Sequence, residues 1–155
     1  MKFMMNGALT VGTRDGATIE MARAAGEEHF FLFGLTAEQV ADSRGWYNPW
    51  WHYEHDPETR RALDLLCSTH FNADGPNLYA PIRQVLLTGG DHYMHLADLT
   101  AYALTQQRLG TVYGDPHAWT RHAIVNVGCS GQFSSDRSIR EYAEQIWGAK
   151  AVPVE

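Results

Sequence analysis

An α/β fold, two parallel strands followed by a mainly helical tail, is what this sequence predicts, and three observations carry the expectation. Two short, apolar, β-favouring runs at residues 8–13 and 29–33 flank a helix-length stretch at 17–25. Beyond Gly34 no further such run occurs, and helix-start chemistry recurs instead, at Thr36, Asp56-Pro57, Asp115-Pro116 and Ser134-Ser135. A chain of 155 residues with 45% hydrophobic content suffices for one core.

Residues 8–13, Ala-Leu-Thr-Val-Gly-Thr, are expected to form a buried strand that stops at the turn dipeptide Asp15-Gly16. A helix follows over 17–25, with Gly26 as its stop, and a second strand over 29–33 ends at Gly34. Strand, helix and strand make a β-α-β unit, which pairs its strands in parallel through a right-handed crossover. Thr36 with Gln39 reads as a capping box opening a helix closed by Gly45. Aspartate before proline predicts helices starting at about 57 and 116. Leu78, Ile82, Val85 and Leu86 would share one helical face, with a bend or a late start at Pro81. Tyr93, Leu96, Ala97 and Leu104 mark another amphipathic helix, and Trp119, Ala123 and Val127 the next. Ser134 or Ser135 caps a last helix with the stripe Ile139, Tyr142, Ala143, Ile146 and Trp147, ended by Gly148.

The charge balance narrows the partners. Charged residues are 19% of the chain, the net charge is -6, and no basic block occurs, so neither nucleic acid nor an anionic membrane surface is an expected partner. Cys67 and Cys129 are isolated in sequence, which suggests reduced thiols and a cytoplasmic protein rather than a disulfide framework or a zinc knuckle. The apolar run at residues 3–5 is too short for a signal peptide, and no window approaches a membrane span.

The chemistry centres on Lys2. A lysine heading a segment that dives into a buried strand is expected to lose water around its amine, and a desolvated amine is a nucleophile toward aldehydes. The surrounding residues, Met1, Lys2, Phe3, Asn6, Gly7, Ala8, Leu9, Thr10, Gly12, Thr13, Asp15, Gly16 and Ala17, resemble the pyridoxal-phosphate segment of the α-glucan phosphorylases, the glycogen, starch and maltodextrin enzymes. The likeness continues through Glu20, Met21, the Phe-Phe-Leu-Phe-Gly run at 30–34, and residues 131–143, to Ile146 and Trp147. Arg14 departs from it, standing where the family has an aliphatic residue, and must reach solvent or an acid such as Asp15.

The resemblance implies that Lys2 carries pyridoxal 5'-phosphate as a Schiff base, and that no other residue of the catalytic centre lies in this chain. It implies an enzyme, a glycosyltransferase that moves a terminal α-1,4-linked glucose from a glucan to inorganic phosphate with retention. There the cofactor phosphate exchanges a proton with the substrate phosphate. The implied fold is the C-terminal part of a Rossmann-like glycosyltransferase B-type domain. On that reading residues 1–155 end the second, cofactor-binding domain, 1–45 as a β-α-β-α segment and 46–155 as the helical tail. The family's glycine-rich phosphate loop precedes the lysine, so the chain is expected to be a C-terminal piece that needs the missing N-terminal part, is inactive alone, and belongs to a homo-oligomer. The alternative is a non-catalytic helical interaction or carbohydrate-binding module.

Other constellations have plainer readings. His52 with His55 and His92 with His95 have spacings that suit a metal, but no third ligand is apparent, and exposed, titrating histidines explain them. Trp46, Tyr47, Trp50, Trp51 and Tyr53 could stack on a sugar, although an irregular segment around Asn48-Pro49 pinned to the core is favoured. The run from Ser134 to Arg137 reads as a helix cap, with an Asp136 to Arg137 network, before it reads as a phosphate site.

Overall fold

The computed structural model describes residues 1–71, 73, 75, 78–150 and 152. The chain opens with α1 (Lys2–Met5), a single helical turn. The Gly7 and Ala8 amides donate back to the Met4 and Phe3 carbonyls at 3.1 and 3.0 Å. Those bonds hold residues 7 and 8 in the turn, so β1 starts later than the apolar run suggests, spanning Thr10–Arg14. It is half-buried at its start and exposed at its end rather than buried, one of the two edge strands of the described sheet.

Helix α2 (Ala17–Ala25) ends at Gly26 as expected, and a 3-10 turn (Glu27–His29) leads into β2 (Phe30–Thr36). The two strands pair in parallel. β2 does not stop at Gly34 but runs through it. That residue has φ +77, and a β-carbon there would lie 2.5 Å from the Asp98 carboxylate, whose Oδ1 accepts from the Leu35 amide at 2.8 Å. Glycine lets the strand continue past a carboxylate bonded to its backbone.

The chain contacts divide the protein into two compact units, each strand contributing to both: Met1–Val11, Gly16–Phe31 and Thr111–Glu155 form the first, Gly12–Asp15 and Leu32–Gly110 the second.

In the second unit, α3 (Ala37–Ser43) opens on the reciprocal box: the Gln39 amide donates to Thr36 Oγ1 at 3.2 Å and the Thr36 amide to Gln39 Oε1 at 2.9 Å. Helix α4 (Pro49–His55) occupies the segment expected to be irregular, because Asn48 Oδ1 accepts from the Trp50 amide at 3.1 Å and Pro49 fits the first turn. Helix α5 (Pro57–Leu66) begins where Asp56-Pro57 places it. Helix α6 (Ala80–Leu86) starts late, with Pro81 in its first turn. Leu78 therefore lies outside it, and the expected apolar face is not buried: Leu78, Ile82 and Val85 are exposed. Burial passes to Leu87, which joins Leu63 and Leu96 in the core of this unit, flanked by Tyr53 and Leu86.

Helix α7 (His95–Tyr113) begins beyond Tyr93, which is 83% exposed, and Leu104 on the same expected face is also exposed. Its start is set by Asp91. That buried carboxylate accepts from the His95 and Leu96 amides at 3.0 and 2.8 Å and from the Tyr47 hydroxyl at 2.8 Å. Burial first, and then the bond to Asp91, hold the Tyr47 phenol well above its ordinary range.

In the first unit, α8 (Pro116–Cys129) packs against α1, α2 and the 3-10 turn. Met4, Met21, Ala22, Ala25, Phe30 and Phe31 are its buried apolar residues. A 3-10 turn (Ser130–Phe133) leads to α9 (Ser135–Glu141), capped by Ser134 Oγ, which accepts from the Arg137 amide at 3.3 Å. The last turns, Tyr142–Trp147, widen to π geometry before Gly148 at φ +58. The stripe Ile139, Tyr142, Ile146 and Trp147 is exposed, between 48% and 67%. Among the described residues no helix is long and apolar enough to cross a membrane.

Asp56 generates the first prediction. Its carboxylate accepts from the Thr100 and Thr59 hydroxyls at 2.8 and 2.9 Å and from the Glu58 and Thr59 amides at 3.0 and 3.3 Å. The Thr100 bond first, then those from Thr59 and Glu58, hold it below the ordinary carboxylate range. A folded value below the unfolded one means that this stabilisation is present above the unfolded value and is lost as pH falls through the folded one. Asp56→Ala should cost about 1–2 kcal/mol at neutral pH, and chemical denaturation at neutral and strongly acidic pH should show that penalty shrinking in acid. The exposed stripe generates the second. Light scattering over a concentration series should show the 155-residue chain self-associating, and Ile146→Lys with Trp147→Glu should reduce it.

Candidate functional site at the Lys2 turn

Lys2 is the first residue of α1, and its side chain lies in solvent, not at the mouth of a buried strand. The turn beneath it is fixed at three points. Met4, two residues on, is 1% exposed and anchors the turn in the core of its unit. Asn6 Nδ2 donates to the Lys2 carbonyl at 2.7 Å. Gly7, with φ +76, brings the backbone down to α8, where a β-carbon would meet Ala123 Cβ at 3.6 Å and Val127 Cγ2 at 3.8 Å. An L-residue at this φ is strained, so Gly7 keeps the turn closed. The arrangement fixes the main chain of a turn that carries an accessible primary amine. That suits covalent capture of an aldehyde, and an amine on a mobile terminus would be poorly placed for it.

A depression of about 360 Å³ beside this turn is lined by Met1, Glu20, Gln132, Phe133, Arg137 and Ser138. Its one arginine is engaged: Arg137 Nε donates to Glu141 Oε1 at 2.7 Å, and its Nη1 to the Gln132 carbonyl. The expected partner was Asp136. Glu141 takes that place because it lies one helical turn on, on the same face of α9. Capping and this network explain Ser134 to Arg137.

Of the histidine pairs, His52, His55 and His95 turn to aromatic neighbours, His95 lying tilted to Tyr93. His52 lies edge-on to Trp51 and tilted to Tyr47, and His55 stacks on Trp51 with ring centres 4.9 Å apart. Burial lowers the His52 imidazole below its ordinary range. Among the described residues no three metal-ligating side chains converge. In the aromatic cluster Tyr47 and Tyr53 are half-buried and bonded to Asp91 and Asp64, whereas Trp46 and Trp51 are exposed.

Two features of the first unit were not legible from spacing. Asn126 on α8 is fully buried, with neither amide atom partnered among the described residues. His29 and His122, 93 residues apart, bring their Nδ1 atoms to 2.9 Å.

Comparison with known proteins gives this geometry its context. The sequence model of the carbohydrate phosphorylase family matches residues 1–149. The chain is 46% identical over 147 residues to glycogen phosphorylase of Chlamydia trachomatis, covering 95% of this chain. It is 46% identical over 156 residues to glycogen phosphorylase of Synechocystis, and 45% identical over 152 to the muscle form of Oryctolagus cuniculus, covering 100% and 97% of this chain. In each case the chain spans 18% of the relative's length. A match that runs from the Lys2 turn through α8 to the last helical turns takes in every element that positions the lysine, and on it the chain belongs to the carbohydrate phosphorylase family.

Proposed function

We propose that this chain is the C-terminal part of the second, cofactor-binding domain of an α-glucan phosphorylase. Residues 1–45 would form its β-α-β-α segment and 46–155 its helical tail. The longer protein transfers a terminal α-1,4-linked glucose to inorganic phosphate, giving glucose 1-phosphate with retention, as a cytoplasmic homo-oligomer. The observation that carries the reading is the seating of Lys2 at the head of a turn anchored by Met4 and Gly7, inside a family match that covers 1–149.

An exposed primary amine on a fixed turn fits attachment of pyridoxal 5'-phosphate, and Lys2 is the residue that would hold it. When bound, the cofactor supplies a phosphate that relays protons to and from the substrate phosphate. What this chain contributes is position: α1 and α8 keep the Lys2 main chain in place, so the amine needs little reordering at attachment. Desolvation of the amine comes from upstream segments of the longer protein, since Lys2 is in solvent here. The relatives are more than five times as long, and the substrate pocket and phosphate-binding groups are assigned to the part outside this chain.

Two outcomes test this. In the longer protein, borohydride reduction followed by peptide mass spectrometry should place the cofactor on Lys2. Lys2→Ala should abolish both the label and glucose 1-phosphate release, and a label on another lysine would contradict the assignment. The 155-residue chain alone should release no glucose 1-phosphate from glycogen and phosphate, because proximity and electrostatic stabilisation need the groups outside it. Phosphate-dependent turnover by that chain would contradict the division of labour.

A further inference from the structure

We propose that His29 and His122 form a proton-sharing latch, which fastens the 3-10 turn before β2 to α8 at neutral pH and releases it on acidification. The two Nδ1 atoms lie 2.9 Å apart, with ring centres at 4.9 Å and planes at 73°. At that distance one ring donates and the other must accept, so a single proton lies between them. A second proton turns both nitrogens into donors facing one another, and the bond is lost. Phe31, packed edge-on to His122 at 5.9 Å, closes the site from the strand.

The neighbouring charges set the direction. On the 3-10 turn, Glu28 Oε1 lies 3.7 Å from His29 Nε2, on the far side of that ring from the shared proton. On α8, Arg121 adjoins His122. Helix α2 packs against both elements and carries Glu20 and Arg23 at exposed positions, and α1, packed on α8, carries the exposed Lys2. Burial first, then His29 and Arg121, push the His122 imidazole below 6.5, and Glu28 opposes them. The unfolded or released His122 therefore binds its proton more readily than the latched one. The contribution of the latch is complete above 6.5 and declines as pH falls below it. Phe30, the first residue of β2 and 2% exposed, follows His29 directly, so release loosens the entry to the strand.

The test uses the 155-residue chain. Ring-proton NMR should give His122 a midpoint below 6.5, and His29→Phe should move it upward. Hydrogen exchange at the Phe30 amide, corrected for intrinsic chemistry, should rise severalfold between pH 7 and pH 5 as His122 takes up its proton. In His122→Phe that rise should vanish. An ordinary histidine midpoint at His122, or the same acid-dependent exchange in wild type and His122→Phe, would overturn the latch.

Discussion

The seating of α1 on α8 is the contact on which the functional reading depends. A lysine on a single helical turn is ordinarily a solvated, mobile group. Here the residue two places on is buried, and the burial of Met4 contributes about 1.5–3 kcal/mol, enough to hold a single turn that would not be helical alone. Gly7 completes the seat, because its positive φ turns the chain over Ala123 and Val127 before β1 begins. One buried side chain and one glycine thus fix the main chain that carries the amine.

Helix α8 carries much of what surrounds that platform. It packs against α1 and α2 and supplies His122 to the pair with His29. It also buries Asn126 without a partner among the described residues. The second unit has its own polar centre in Asp91, whose φ of +43 is an uncommon conformation for aspartate. Three hydrogen bonds to one buried carboxylate hold it there and set the start of α7.

How much of this the sequence discloses follows the range of the interactions. Local chemistry is legible: the Thr36–Gln39 box, the Asp56 and Asp115 caps and the Gly148 stop depend on residues within one turn of each other. Where a distant group decides, sequence reading fails. β2 passes Gly34 because Asp98 comes from 64 residues away, and α7 starts after Tyr93 because Asp91, bonded to the Tyr47 hydroxyl from 44 residues away, engages its first amides. Periodicity likewise marks an apolar stripe over 139–147 without saying whether anything covers it, and in this structure the stripe is exposed. At the site, motif resemblance picks out Lys2, whereas its solvent exposure and the turn that holds it come from the fold.

The central claim, that the Lys2 platform is held by Met4 on α8, is tested most directly by residue-resolved hydrogen exchange at the Asn6 and Gly7 amides, which donate to the Phe3 and Met4 carbonyls. In the 155-residue chain both should be protected, with protection lost in Met4→Ala while α8 amides change little. Exchange at the unprotected rate in the wild-type chain, or protection indifferent to Met4→Ala, would contradict the account.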